Sequence, residues 1–258
     1  MAEKLYTRGR FVWIDCMSLE PEKSQAFYGE LFNWKVQEMD MGPMGTYRML
    51  MAGETGVGGI MPLDPKHRAP SHWINYITVE DVDATVAKVK KLGGKELVSA
   101  MDFGNVGRGA VVADPQGAVF APFKAGSDGE VPEKDPGIGE FCWHEVMVDD
   151  VAKAKTFYGD VFGWTFEKMP QPEGEYWMAK RGDKMACGLM KKPANVPAPP
   201  HWLSYVLVED LDHSQKRATK LGAKALMGPQ EVPNIGTFTV IQDPVGAVLC
   251  LFEGVEKP

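Results

Sequence analysis

The chain carries the same stretch twice. Phe11-Val12-Trp13-Ile14-Asp15, leading to Phe27-Tyr28-Gly29 and Trp34, returns 130 residues later as Phe141-Cys142-Trp143-His144-Glu145, leading to Phe157-Tyr158-Gly159 and Trp164. Chance does not hold one offset across residues as rare as Trp, so the chain is a duplication and must fold from two like parts. Further along, Pro200-His201-Trp202 answers Ser71-His72-Trp73, and Asp243-Pro244-Val245-Gly246-Ala247 answers Asp114-Pro115-Gln116-Gly117-Ala118, now 129 residues apart. One residue has been lost from the second copy between Trp164 and His201, a loss that belongs in a loop.

Each copy divides again. Phe11 to Met17 reads as a strand interrupted by one acid, and a helix follows with Pro21 in its first turn and Phe27 and Leu31 on one face. Gly29 inside that helix points to close packing. Strand-like runs come at 35–38, 47–52 and 57–61. From His72 the order restarts: a strand, a helix capped by Asp81 or Asp83 with Val82, Val86 and Val89 on one face, then strands at 96–99, 109–113 and 118–123. Asp114-Pro115-Gln116-Gly117 has the residues of a type I turn. The expectation is an α+β protein of four βαβββ units. They form two tandem domains, 8–124 and 140–254, joined by a Gly- and Pro-rich linker, 125–139, each domain with an open barrel-like cleft.

Composition narrows the partners. A net charge of −7, with Lys and Arg scattered among acids, argues against nucleic acid or an anionic membrane surface. No uncharged run approaches the roughly 20 residues a membrane helix needs. The N-terminal stretch lacks a signal's apolar core, and the four cysteines show no CxxC spacing, so a reduced cytoplasmic protein is expected, as a monomer or homodimer. The Gly-rich stretches at 42–45 and 53–59 do not end in Gly-Lys-Ser/Thr and open no helix, which excludes a phosphate loop.

The repeated unit, the Phe-Tyr pair, the Val79-Glu80-Asp81-Val82-Asp83 segment and the Asp-Pro-x-Gly-Ala turns resemble the vicinal oxygen chelate superfamily, which includes glyoxalases, bleomycin resistance proteins and extradiol dioxygenases. Within it the chain looks most like tandem-duplicated bacterial glyoxalase-like proteins. The resemblance implies small-molecule chemistry and, in metal-dependent members, ligands at positions that here hold Trp13, Ile74 and Ala121 in one half and Trp143, Leu203 and Cys250 in the other. Only one of these six can ligate a metal, so the usual chelate is expected to be absent and no cofactor is assigned. A divalent metal held by unusual residues such as Glu145 with His201 stays open, and with it a lactoylglutathione lyase-like or dioxygenase-like activity.

Asp15 and Glu145 sit two residues after the repeated Trp and share its strand face. A carboxylate on an apolar strand suits a general base, since burial raises its pKa; an acid that merely orients the sheet is the alternative. Trp13, Trp143, Tyr76 and Tyr205 have the parity of the same face and are candidates for ligand contact. Arg108, matched by Thr237 in the second copy, would draw anions if it reached the site, and otherwise sits in solvent. His144, matched by Ile14, reads as a packed side chain, and His72 and His201 as strand-entry residues. Tyr47 and Tyr176 are assigned to cores. The expected function is binding, or metal-independent catalysis, on a small carbonyl or aromatic compound.

Overall fold

The computed structural model describes residues 8–42, 45–126, 134–170 and 174–255, so part of the expected linker, 127–133, lies outside the described residues. The first module is β1 (Phe11–Ser18), α1 (Pro21–Phe32), β2 (Lys35–Asp40), β3 (Thr46–Ala52) and β4 (Thr55–Pro62). The second is β5 (His72–Thr78), α2 (Val82–Lys91), β6 (Lys95–Asp102), β7 (Gly107–Ala113) and β8 (Val119–Ala125). The third is β9 (Phe141–Val148), α3 (Val151–Phe162), β10 (Thr165–Met169), β11 (Tyr176–Arg181) and β12 (Lys184–Lys191). The fourth is β13 (His201–Leu207), α4 (Leu211–Lys220), β14 (Lys224–Val232), β15 (Gly236–Gln242) and β16 (Val248–Gly254).

Local chemistry accounts for the boundaries. Pro21 occupies the first turn of α1, and the chain leaves that helix through Asn33 in the left-handed conformation, φ 58°. At α2 the Asp81 carboxylate accepts the Ala84 N–H at 2.9 Å, which decides between the two candidate caps; Asp83 turns instead to Arg108. The Asp114 turn closes through a bond from Gly117 N–H to Asp114 C=O at 3.0 Å, and Gly117 takes φ 104°, where a side chain would be strained.

The strands form two open eight-stranded mixed sheets, ordered β2-β3-β4-β1-β5-β8-β7-β6 and β10-β11-β12-β9-β13-β16-β15-β14. Inside each module the first and last strands run parallel, as the helical crossover requires, and the outer strands are antiparallel hairpins.

The repeat and the packing divide the chain differently. One compact unit comprises the described residues of Met1–Trp13, Ile74–Lys134 and His144–Trp202; the other comprises those of Ile14–Trp73, Asp135–Trp143 and Leu203–Pro258. Each has its own core. In the first, Val82, Val86, Val89 and Phe120 pack with Phe157, Tyr158, Val161 and Leu189. In the second, Phe27, Tyr28, Leu31 and Ile60 pack with Val206, Leu249 and Leu251.

A buried phenol–carboxylate bond runs through both cores. Tyr158 Oη donates to Asp114 Oδ2 at 2.8 Å, and Tyr28 Oη donates to Asp243 Oδ2 at 2.8 Å. The other oxygen of each acid accepts backbone N–H groups of its own turn, from Gln116 and Ala118 and from Val245, Gly246 and Ala247. The Phe-Tyr pair and the Asp-Pro-x-Gly-Ala turn are therefore two ends of one contact. Among the described residues no helix is long and apolar enough to cross a membrane.

Candidate functional site

On β1 the side chains alternate. Ile14 and Cys16 enter the core under α1, while Trp13, Asp15 and Met17 take the other face. The same alternation on β9 puts Val146 and Val148 in a core and Trp143, Glu145 and Met147 opposite. Asp15 is 4% exposed and Glu145 8%. An acid this deeply buried needs donors.

Part of that need is met by a tyrosine in each copy. Tyr47 Oη donates to Asp15 Oδ1 at 2.9 Å, and Tyr176 Oη donates to Glu145 Oε1 at 2.6 Å. Both tyrosines lie on the strand two places away in the sheet, so something must let them reach across β4 or β12. The residue registered beside Asp15 is Gly59, and beside Glu145 it is Gly188. A Cβ on Gly59 would collide with the Tyr47 hydroxyl and lie 2.6 Å from Asp15 Oδ1; one on Gly188 would collide with the Tyr176 hydroxyl and lie 2.9 Å from Glu145 Cγ. Glycine is the bridge that admits the pair. Each carboxylate also acts on the core behind it: the buried thiols of Cys16 and Cys187 are pushed well up by burial, with the charges of Asp243 and Asp15, and of Glu145, adding to the shift.

The remaining candidates fall as follows. Tyr76 packs edge-on to Phe123 with ring centroids 5.9 Å apart, and Tyr205 packs likewise on Phe238 at 5.6 Å. Trp13 and Trp143 are half-buried. Arg108 is turned away from the face that Tyr76 occupies. It registers with Lys124, whose parity is that of the core residue Phe120, whereas Phe123 and Tyr76 share the opposite side. There its guanidinium holds Asp83 through two bonds of 2.8 and 2.9 Å and Asp102 at 3.1 Å. Its expected role as an anion contact is corrected accordingly.

His144 lies flat on Phe11, centroids 4.3 Å apart, and burial pushes its pKa down to about 3, which keeps it neutral. The Nδ1 atoms of His72 and His201 face the carbonyls of Pro70 and Pro199 at 2.7 and 2.8 Å and hold the strand-entry turns. The sequence reading missed Tyr47, Tyr176, Gly59 and Gly188. Their recurrence in both copies was the available signal.

A family model described as Glyoxalase/Bleomycin resistance protein/Dioxygenase superfamily matches residues 10–121 and 138–251. The chain belongs to this superfamily. CFP32 of Mycobacterium tuberculosis, provisionally named a glyoxylase, is 32% identical over 254 residues, covering 96% of each chain. DnrV of Streptomyces peucetius, an anthracycline biosynthesis protein, is 27% identical over 269 residues, covering 96% of this chain and 94% of its own. Among solved structures, the 2,2',3-trihydroxybiphenyl 1,2-dioxygenase of Sphingomonas wittichii matches with TM-score 0.63 at 18% identity, over 96% of this chain and 91% of that one. The Mn(II)-bound glyoxalase of Novosphingobium aromaticivorans matches with TM-score 0.62 at 15% identity, over 98% and 84%. At those identities the likeness is one of fold.

The superfamily includes metal-chelating enzymes, and their chemistry needs three or four donor side chains around one ion. Ile74 and Ala121 come together beside Tyr76 on neighbouring strands, and neither bears a donor atom; the matching positions of the second copy hold Leu203 and the thiol of Cys250. Among the described residues no three His, Cys, Asp or Glu side chains are placed to hold a metal ion. The usual chelate does not fit these residues.

Proposed function

We propose that the chain binds a small carbonyl or aromatic metabolite and moves a proton on it through its tyrosine–carboxylate pairs, without a chelated metal. The observation that carries this reading is the pair itself: a buried acid on an apolar strand, held by a phenol, at the same place in both copies. The hydrogen bond from tyrosine stabilises the carboxylate as a base and fixes its direction, and a carboxylate has lone pairs for more than one donor. The base takes a proton from a substrate C–H or O–H onto its oxygen and returns it to another atom of the same molecule, while Tyr205, in the unit of Asp15, or Tyr76, in the unit of Glu145, is the candidate donor to the substrate oxygen. The names of the relatives, a glyoxylase and a biosynthetic protein, support a small molecule as the partner.

The test uses the full chain and two substitutions that keep shape and remove charge, Asp15→Asn and Glu145→Gln. Binding is followed by titration calorimetry and consumption by chromatography, with the glutathione hemithioacetal of methylglyoxal, dihydroxyacetone and 2-naphthol as probes. Turnover should fall about 100-fold or more in the variant of the active pair, with affinity changed only a few-fold. A probe that is bound but never consumed by the wild-type chain sinks the proton-transfer step and leaves a binding protein. Turnover unaffected by both substitutions sinks the assignment of the base.

A further inference from the structure

The two copies have diverged throughout the helix-facing side of each half-sheet, whereas the opposite side keeps a central block of residues. On the helix-facing side of β1 to β4 and β9 to β12, Ile14 has become His144, Cys16 Val146, Ser18 Val148, Val36 Phe166, Arg48 Trp177, Leu50 Ala179, Gly58 Cys187 and Ile60 Leu189. The opposite side changes on its outer strands, where Lys35, Gln37 and Met51 give way to Thr165, Glu167 and Lys180, but its central block is kept. Trp13, Met17, Met39, Tyr47, Met49, Gly59 and Met61 recur as Trp143, Met147, Met169, Tyr176, Met178, Gly188 and Met190, and Asp15 recurs as an acid. Register confirms that these share a face: Met39 stands beside Tyr47, Met49 beside Gly59, Gly59 beside Asp15 and Met61 beside Met17, and the third module repeats the arrangement.

A core tolerates exchange of one apolar residue for another so long as its volume is kept. A block held fixed while the core behind it is rebuilt is under some other demand. Its composition says which. Methionine has no special preference for strands, where β-branched and aromatic residues are favoured, so four at matched positions on strands are not explained by backbone preference. Its unbranched, polarizable thioether adapts to a partner's shape and attracts aromatic rings. Met17, Met49, Met61, Met169, Met178 and Met190 are all partly exposed, while Met147 is buried. In the middle of each block stands Asp15 or Glu145, which accepts a tyrosine hydrogen bond; the third module adds Glu167 beside Met178, ion-paired with Lys180.

Building on the proton-transfer reading above, we infer that each of the two methionine faces is a binding surface for a planar aromatic compound bearing a hydroxyl group. The ring lies on the thioethers and the hydroxyl donates to Asp15 or Glu145, one molecule per face.

Limited oxidation of the full chain by dilute hydrogen peroxide, read by peptide mass spectrometry, tests this with 2-naphthol as aromatic probe and dihydroxyacetone as a non-aromatic counterpart. Met185, 60% exposed, serves as internal reference. Saturating 2-naphthol should slow oxidation of Met49, Met61, Met178 and Met190 about tenfold relative to Met185, and dihydroxyacetone should not. The double variant Met49→Leu, Met178→Leu keeps volume and loses sulfur, and should weaken 2-naphthol binding roughly two- to tenfold. Equal oxidation rates with and without bound 2-naphthol, or equal protection by dihydroxyacetone, overturn the inference. The two readings fail separately. Consumption of dihydroxyacetone with unprotected methionines keeps the proton-transfer reading and overturns this one. Protection by 2-naphthol that survives Asp15→Asn with Glu145→Gln keeps the aromatic surface and overturns the role given to the acids.

Discussion

At the scale of single residues, Gly188 and Gly59 do what no other residue type could, because the space a Cβ would take is filled by a tyrosine hydroxyl. Gly188→Ala should push Tyr176 off Glu145 and cost about 1–3 kcal/mol, the range for overpacking plus a lost buried hydrogen bond. Urea unfolding checks this against Gly228→Ala, where nothing lies within 4 Å of the added methyl and little change is expected. A second comparison uses the paired core phenols. Tyr28 Oη both donates to Asp243 and accepts the indole N–H of Trp73 at 3.1 Å, whereas the Trp202 indole N–H approaches Tyr158 in a looser contact. Burial raises the pKa of both acids, Asp243 and Asp114, so each depends on its phenol for part of its solvation. Tyr28→Phe breaks two well-formed hydrogen bonds and Tyr158→Phe one with a looser second contact, so the first should cost up to about 1 kcal/mol more than the second, measured as a difference in urea midpoints at equal m.

At the scale of elements, patterns within a few residues were legible and contacts across the chain were not. The Phe27–Leu31 stripe, the Asp81 cap and the Asp114 turn all act over three or four positions, and the structure places each where its residues direct it. Tyr47 and Tyr176 read as core because a lone aromatic in a strand usually is; only register shows that each crosses a glycine to an acid 32 or 31 residues away. For Arg108 the sequence left two placements open, in the site or in solvent, and only its register with Lys124 and its bonds to Asp83 and Asp102 decide for the second. Gly29 is a different case. Its expected close packing is slight, since a Cβ there would lie 3.4 Å from the Trp34 carbonyl oxygen, an ordinary contact, and its φ is not positive. Gly29→Ala should therefore gain most of the helix propensity difference, about 0.5–1 kcal/mol, seen as a higher urea midpoint; a loss of stability would show that close packing against the Trp34 carbonyl does require glycine.

At the scale of the whole molecule, the duplication fixed the number and order of modules, but four like modules can associate in more than one way. The compact units join the second module to the third and the first to the fourth, a choice made by core complementarity between segments far apart in the chain and invisible to any local pattern. Divergence of those cores also made the units chemically unequal, and pH exposes the difference. Neutral His144 stands where Ile14 stands in the other copy, with a folded pKa near 3 against an unfolded value of about 6.5. The unfolded chain then binds a proton that the folded chain refuses, so the stability this residue allows is complete above pH 6.5 and is lost as pH falls from 6.5 toward 3. His201, also lowered by burial, acts in the same direction. Asp114 and Asp243 act in the opposite one, because their raised folded pKa makes the folded chain bind protons more readily on acidification. His144→Ile isolates the first contribution. Between pH 7.5 and 5 the wild-type chain should lose about 1 kcal/mol more stability than the variant, a figure reduced from the full proton linkage because the ring is only half-buried. Urea midpoints at the two pH values give the difference directly, and equal losses in both proteins would mean that the imidazole titrates in the folded state as it does in the unfolded chain.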